Sequence, residues 1–147
     1  DRNSTKLATL TGNQQRILIE SSEIALNMKQ AVVAIEDQRF YEHRGVDYIG
    51  IGRALVQDVL SQSAAQGGST ITQQVVKNAL LTQDKKPTRK LKEIILALRL
   101  ERLYSKEEIL NTYLNENPYG GTIYGIREAS QYFFGVDAKD VGLAQAA

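Results

Sequence analysis

Arg89-Lys90-Leu91-Lys92-Glu93-Ile94-Ile95-Leu96-Ala97-Leu98-Arg99-Leu100-Glu101-Arg102-Leu103-Tyr104 is the stretch that decides the fold class. It holds no glycine or proline, and Leu91, Ile94, Ile95, Leu96, Ala97, Leu98, Leu100 and Leu103 make it apolar over most of a helical circumference. A helix apolar on nearly every side belongs in a core, so the pattern predicts a central buried helix. Helical spacing extends both ways from it, over Ser22 to Glu42, Tyr48 to Ser61, Thr70 to Leu81, Lys106 to Asn115 and Tyr124 to Phe133, with a last helix starting near Asp137. Both prolines, Pro87 and Pro118, fall between these segments. The chain is therefore read as mainly α. Lys6 to Thr11 and Gln15 to Glu20 around Gly12-Asn13 read as one small N-terminal β-hairpin.

The 147 residues suit one domain. A net charge of +1, from 18 Lys plus Arg against 17 Asp plus Glu, excludes bulk attraction to nucleic acid, so any anion site is local. With no cysteine and one histidine, thiolate or multi-imidazole metal sites are excluded and only oxygen-ligand sites remain. No apolar run reaches the ~18 residues that cross a bilayer. The opening at Asp1 and the apolar end, Val141 to Ala147, read as a fragment of something longer.

Several side chains point to chemistry. The apolar run Ala31 to Ile35 leads into Glu36-Asp37, and on a continuous helix Glu36, Phe40 and His43 share a face. A carboxylate at the rim of an apolar face makes a better base; alternatively Glu36 and Asp37 begin the solvated end of a helix. His43, without imidazole or thiol companions, reads as a structural hydrogen-bonding residue. Gly67-Gly68-Ser69-Thr70 enters a helix with Thr70 and Gln73 as its capping box, although five of the seven residues from Thr70 to Val76 are β-branched. The glycines leave backbone N–H groups open to an anion, and Gln73, Gln74 and Lys77 continue a polar stripe from that end; an ordinary capped helix after a loop is the other reading. Thr88 is the expected N-cap of the central helix, which puts Arg89 and Lys90 where cations oppose the macrodipole and so suggests an anion to be held. Glu93, in line with Leu96 and Leu100, is expected to point inward. Two inward carboxylates, a helix N-terminus and convergent cations suit transfer of a sugar away from a phosphate leaving group.

Four stretches then carry a family resemblance. Glu36-Asp37-Gln38-Arg39-Phe40-Tyr41-Glu42-His43-Arg44-Gly45 resembles the first motif of the peptidoglycan glycosyltransferases (glycosyltransferase family 51), the polymerase domain of bifunctional penicillin-binding proteins and their monofunctional relatives. Gly67 to Asn78 resembles the second motif, Arg89 to Glu93 the third and Lys106 to Asn115 the fourth, in the family's order. Tyr119-Gly120 to Gly135 continues the likeness. Residues 1–21 resemble the hairpin linker that follows a membrane anchor, leaving 22–147 as the glycosyltransferase domain, truncated at its end. Gln145 stands where the family usually carries a glutamate, and Gly120-Gly121-Thr122 departs from its glycine spacing.

The resemblance implies a lysozyme-like helical fold at the extracytoplasmic face of the bacterial plasma membrane, polymerising lipid II into β-1,4-linked glycan strands with inversion. It implies Glu36 as the general base and Glu93 on the pyrophosphate side with Lys77, Arg89 and Lys90. A divalent cation, Mg²⁺ or Mn²⁺, belongs to Glu93 in members that use one. Asp37, Phe40, His43, Gly68, Ser69, Thr70, Gln73, Gln74 and Asn78 complete the substrate-binding set that the motifs imply, in a groove that moenomycin also occupies. Partners so implied are lipid II, the growing glycan chain and a membrane surface met by residues 48–60, with no nucleic acid. Two other classes stay open: a lysozyme-type glycoside hydrolase, disfavoured by cations beside Glu93, and a non-catalytic module that binds cell-wall precursor.

Overall fold

The computed structural model describes residues 17–53, 68–80 and 87–147, without the side chains of Leu80 and Pro87. A 3₁₀ turn, Ser21–Glu23, precedes α1 (Leu26–Glu36). Residues 48–53 open α2, and α3 (Ile71–Leu80), α4 (Pro87–Leu103) and α5 (Lys106–Glu116) follow. A two-stranded antiparallel pair, β1 (Pro118–Gly120) and β2 (Ile123–Tyr124), leads to α6 (Ile126–Phe134), a 3₁₀ turn at Ala138–Asp140 and α7 (Leu143–Ala146). The mainly α class with a small hairpin holds. The hairpin described is the one at 118–124; of the N-terminal hairpin, residues 1–16 lie outside the described residues, and 17–20 are not paired as a strand.

The buried helix is α5, not α4. Ile109, Leu110, Tyr113, Leu114 and Asn115 of α5 are buried, and α3 packs against both α4 and α5. In α4 the inward residues are Glu93 and Ala97, while Leu91, Ile95 and Leu103 are exposed among the described residues. Periodicity showed that α4 had apolar surface to spare, but not which part of it would meet a partner. Its start differs too: Pro87 occupies the first helical position, where its fixed φ fits and its missing N–H costs nothing, so Thr88 is inside the helix. The start of α5 is as expected. Ser105 Oγ accepts from the Glu108 N–H, and Glu108 Oε2 accepts from the Ser105 N–H at 2.7 Å, bonds that hold the exposed Glu108 carboxyl below its ordinary range.

The expected helix from Ser22 to Glu42 is interrupted. At Asp37 the backbone leaves helical geometry (φ −159°, ψ 74°), and turns carry the chain to Gly45. Two interactions compete successfully with continued helix: the Asp37 carboxylate is drawn to the start of α3, and Phe40 is drawn into the core at 0% exposure beside Ile71, Leu110 and Leu114. Burying a side chain of this size gives about 1.5 to 3 kcal/mol, and turn bonds such as Phe40 N–H to the Asp37 carbonyl replace part of the helical ones. Lys106 Nζ sits 4.4 Å from the centroid of the Phe40 ring. Gly45 closes the turn with φ +86°, so near α4 that a Cβ there would stand 2.8 Å from the Ala97 carbonyl oxygen.

Candidate active site

Glu36 is the last residue of α1, and its carboxylate is exposed. Gln74 on α3 donates from Nε2 to Glu36 Oε2 at 2.8 Å, and Gln74 Oε1 lies 3.4 Å from the hydroxyl of Tyr113 on α5. Three helices thus meet at this carboxylate. Burial, and then the charge of Glu36, push the Tyr113 phenol well above its ordinary pKa.

Across the start of α3 lies the second group. Glu93 is 2% exposed, and Lys90 donates to its Oε1 at 2.5 Å and to Ser69 Oγ at 2.8 Å. Arg89, half-buried, has its Nε sealed from solvent without a partner among the described residues. Ser69 and Gln74 stand on either side of the first turn of α3, which therefore joins the Glu36 side to the Glu93 side.

That helix terminus is not open to a ligand in the manner the glycines suggested. Asp37 Oδ2 accepts the Ile71 N–H at 3.0 Å, and Thr70 Oγ1 accepts the Gln73 N–H at 3.1 Å while Gln73 Oε1 accepts the Thr70 N–H. The chain's own carboxylate occupies the positive end of α3, as an anion is expected to do. His43 Nε2 completes the arrangement, 2.9 Å from both Asp37 carboxylate oxygens. Asp37, Phe40, His43, Thr70 and Gln73 are all buried. Their place is at the junction of α1 and α3, holding the start of α3 against the end of α1. The single face expected for Glu36, Phe40 and His43 does not exist, because the helix ends at Glu36. Gly68, Lys77 and Asn78 are exposed, and Ser69, Gln74 and Arg89 are partly so.

Residues 3–147 match the sequence pattern of the family described as Transglycosylase. The chain belongs to the transglycosylase family. It is 45% identical to penicillin-binding protein 1F of Bacillus subtilis (strain 168) over its whole length. It is 49% identical to penicillin-binding protein 1A of Clostridium perfringens (strain 13 / Type A) over 91% of the chain, and 45% identical to penicillin-binding protein 1A of Vibrio cholerae over 97%. The chain spans 17–20% of the length of these relatives.

The transglycosylase domain also contains groups that residue chemistry alone had not singled out. Tyr113 has no assigned role in the motif reading; a polar side chain on the Ile109, Leu110 and Leu114 face of α5 was the signal that it had a buried partner. Asn115 is 5% exposed, and its amide pairs with both backbone groups of Ile19: Oδ1 accepts the N–H at 2.9 Å and Nδ2 donates to the carbonyl at 3.0 Å. Glu101 accepts from Thr72 Oγ1 and Lys106 Nζ, tying α3 and α5 to α4. Gln145 caps α7 by accepting the Gly142 N–H at 2.8 Å.

Among the described residues no three Asp, Glu or His side chains gather as metal ligands. At Glu93 the protein offers one carboxylate, already bonded to Lys90.

Proposed function

We propose that this transglycosylase domain polymerises lipid II into β-1,4-linked glycan strands with inversion, with Glu36 as general base and the Lys90, Arg89 and Lys77 side receiving the lipid pyrophosphate. The observation that carries the reading is the division of labour between the two carboxylates: Glu36 is exposed and bonded to a neutral amide, whereas Glu93 is buried and bonded to a cation. An accessible carboxylate can take a proton from an incoming hydroxyl. A buried carboxylate that fixes a lysine makes a rigid positive group, which stabilises a departing anion without needing to supply a proton.

The reaction follows from those positions. The acceptor sugar hydroxyl approaches Glu36 from solvent and gives its proton to the carboxylate as its oxygen bonds to the anomeric carbon of the growing chain. The bond from that carbon to the pyrophosphate oxygen breaks, and its electron pair leaves with the pyrophosphate toward Lys90 and Arg89. Attack from the face opposite the leaving group inverts the anomeric centre.

Hydrolysis of lysozyme type is less well supported, because it needs a second carboxyl positioned to protonate a sugar oxygen, and Glu93 is enclosed and committed to Lys90. For the membrane, Tyr48 and Ile49 of α2 are 69% and 59% exposed, which supports a face that meets lipid; residues 54–60 of the proposed face lie outside the described residues. No helix among the described residues is long and apolar enough to cross a membrane. The proposal places the domain at the extracytoplasmic face of the membrane, where its lipid-linked substrate and growing glycan would be its partners.

The test is Glu36→Gln, which keeps size and removes proton acceptance. Polymer formed from lipid II should fall by at least ~10²-fold with unfolding behaviour unchanged. Near-normal polymer from the folded variant refutes the role of Glu36, and cleavage of preformed glycan by the wild-type domain would favour the hydrolase.

A further inference from the structure

We propose that Tyr113 is a positioning residue for the base, fixing the Gln74 amide so that its N–H and not its carbonyl faces Glu36. The inference rests on the reading of Glu36 as base. Tyr113 is 4% exposed, on a buried face of α5 that it shares with Ile109, Leu110, Leu114 and Asn115, the last committed to Ile19. A phenol placed there needs a polar partner. The one it meets is Gln74 Oε1, the far end of the amide whose Nε2 bonds to Glu36.

The two ends of a glutamine amide are nearly equal in size, so a half-turn exchanges donor and acceptor. While Glu36 is a carboxylate, its charge alone favours the N–H. Once Glu36 has taken the acceptor's proton that preference disappears, because a carboxylic acid can donate to an amide oxygen as readily as it accepts from an amide N–H. A flipped Gln74 would hold the proton on Glu36 Oε2, inside the site. Donation from Tyr113 keeps Gln74 Oε1 occupied in both states, which leaves Glu36 Oε1 as the oxygen that receives the proton and returns it to solvent.

Tyr113 is suited to this because it remains a donor. The groups facing it are Gln74 and the charge of Glu36 from other helices, and the partly buried phenol of Tyr119 from β1. Burial, and then the charge of Glu36, favour the protonated phenol. At 3.4 Å the contact is long, so it steers the amide and contributes little to holding the fold together.

The experiment measures lipid II polymerisation by Tyr113→Phe, Gln74→Met and the double variant, in the wild-type protein and in Glu36→Gln. Tyr113→Phe keeps the ring in the core; kcat should fall ~3- to 30-fold, a fraction of what a general base supplies, with KM for lipid II within about twofold. Gln74→Met should lower kcat at least as far, and the double variant no further than the worse single one. Neither change should matter in Glu36→Gln. Wild-type kcat in Tyr113→Phe, or multiplying losses in the double variant, overturns the proposal while an inactive Glu36→Gln leaves the base in place. An active Glu36→Gln overturns both. If Tyr113→Phe does not fold, Gln74→Met reads the same contact from the other side, and a wild-type kcat there is equally decisive against it.

Discussion

Adding one methyl group at Gly45 should do more damage than adding the same group at Gly135, although both glycines have left-handed backbone (φ +86° and +67°). Any side chain in that region costs roughly 1 to 2 kcal/mol. At Gly135 that is the whole effect, because a Cβ there meets nothing within 4 Å. At Gly45 the Cβ would stand 2.8 Å from the Ala97 oxygen and 2.9 Å from its carbonyl carbon. These are backbone atoms in the middle of α4 and cannot swing aside, so overpacking adds ~1 to 3 kcal/mol. The turn must then move away from α4 and strain the 2.7 Å bond from Thr70 Oγ1 to the Gly45 carbonyl. Gly45→Ala is expected to lose roughly 2 to 5 kcal/mol in all. At ~2 to 4 °C per kcal/mol for a chain of this size, the melting temperature should drop by about 10 °C, against a few degrees for Gly135→Ala. Urea unfolding of the three proteins by far-UV circular dichroism gives the difference directly, provided the m-values agree. Equal losses in the two variants would show that the approach of Gly45 to α4 carries no energy, and with it the account of how this turn is seated.

Asn115→Ala should cost about 1 to 3 kcal/mol, since it strands the N–H of Ile19 and leaves its carbonyl only the 3.4 Å bond from Asn111 Nδ2; amide exchange at Ile19 rising to the rate of an unprotected residue is the local signature. Tyr113 and Tyr119 both hold their protons more tightly when folded, chiefly through burial. The stability they contribute is therefore whole below the ordinary phenol value of about 10 and lost progressively as the pH rises beyond it. Spectrophotometric titration should show their phenolate absorbance appearing only with alkaline unfolding. Lys77→Ala and Arg89→Ala should each weaken binding of a pyrophosphate-bearing lipid by ~1.5 to 3 kcal/mol. Binding of a phosphate-free glycan should barely change, and equal losses for both ligands in calorimetric titration would assign these cations to structure.

What could be read from the residues was what they determine locally. The capping box of Ser105 and Glu108, the box of Thr70 and Gln73 and the inward turn of Glu93 depend on neighbours three or four positions away, and all three are present. Misreadings occurred where a distant partner decides. Nothing near Asp37 announces that its carboxylate will cap a helix beginning 34 positions later, and without that knowledge Phe40 and His43 are naturally continued along α1. The ranking of α4 above α5 failed for the same reason: amphipathy is a property of one segment, whereas burial belongs to a pair. The motif residues come together around the start of α3, but a motif does not separate exposed side chains such as Glu36 from buried ones such as Asp37 that hold them in place.

The bonds from the Ile71 N–H to Asp37 and from Thr70 Oγ1 to the Gly45 carbonyl join the two ends of one chain excursion, residues 46–69. Closing a loop costs free energy that grows only with the logarithm of its length. Glu36 adjoins one foot of this closure and Gln74 lies within a turn of the other, so the register between base and donor is set at the clasp and not by the length of the path between. Residues can then be inserted into or removed from the excursion while the chemistry stays aligned, and that freedom gives such a site room to vary what it grips without rebuilding how it reacts.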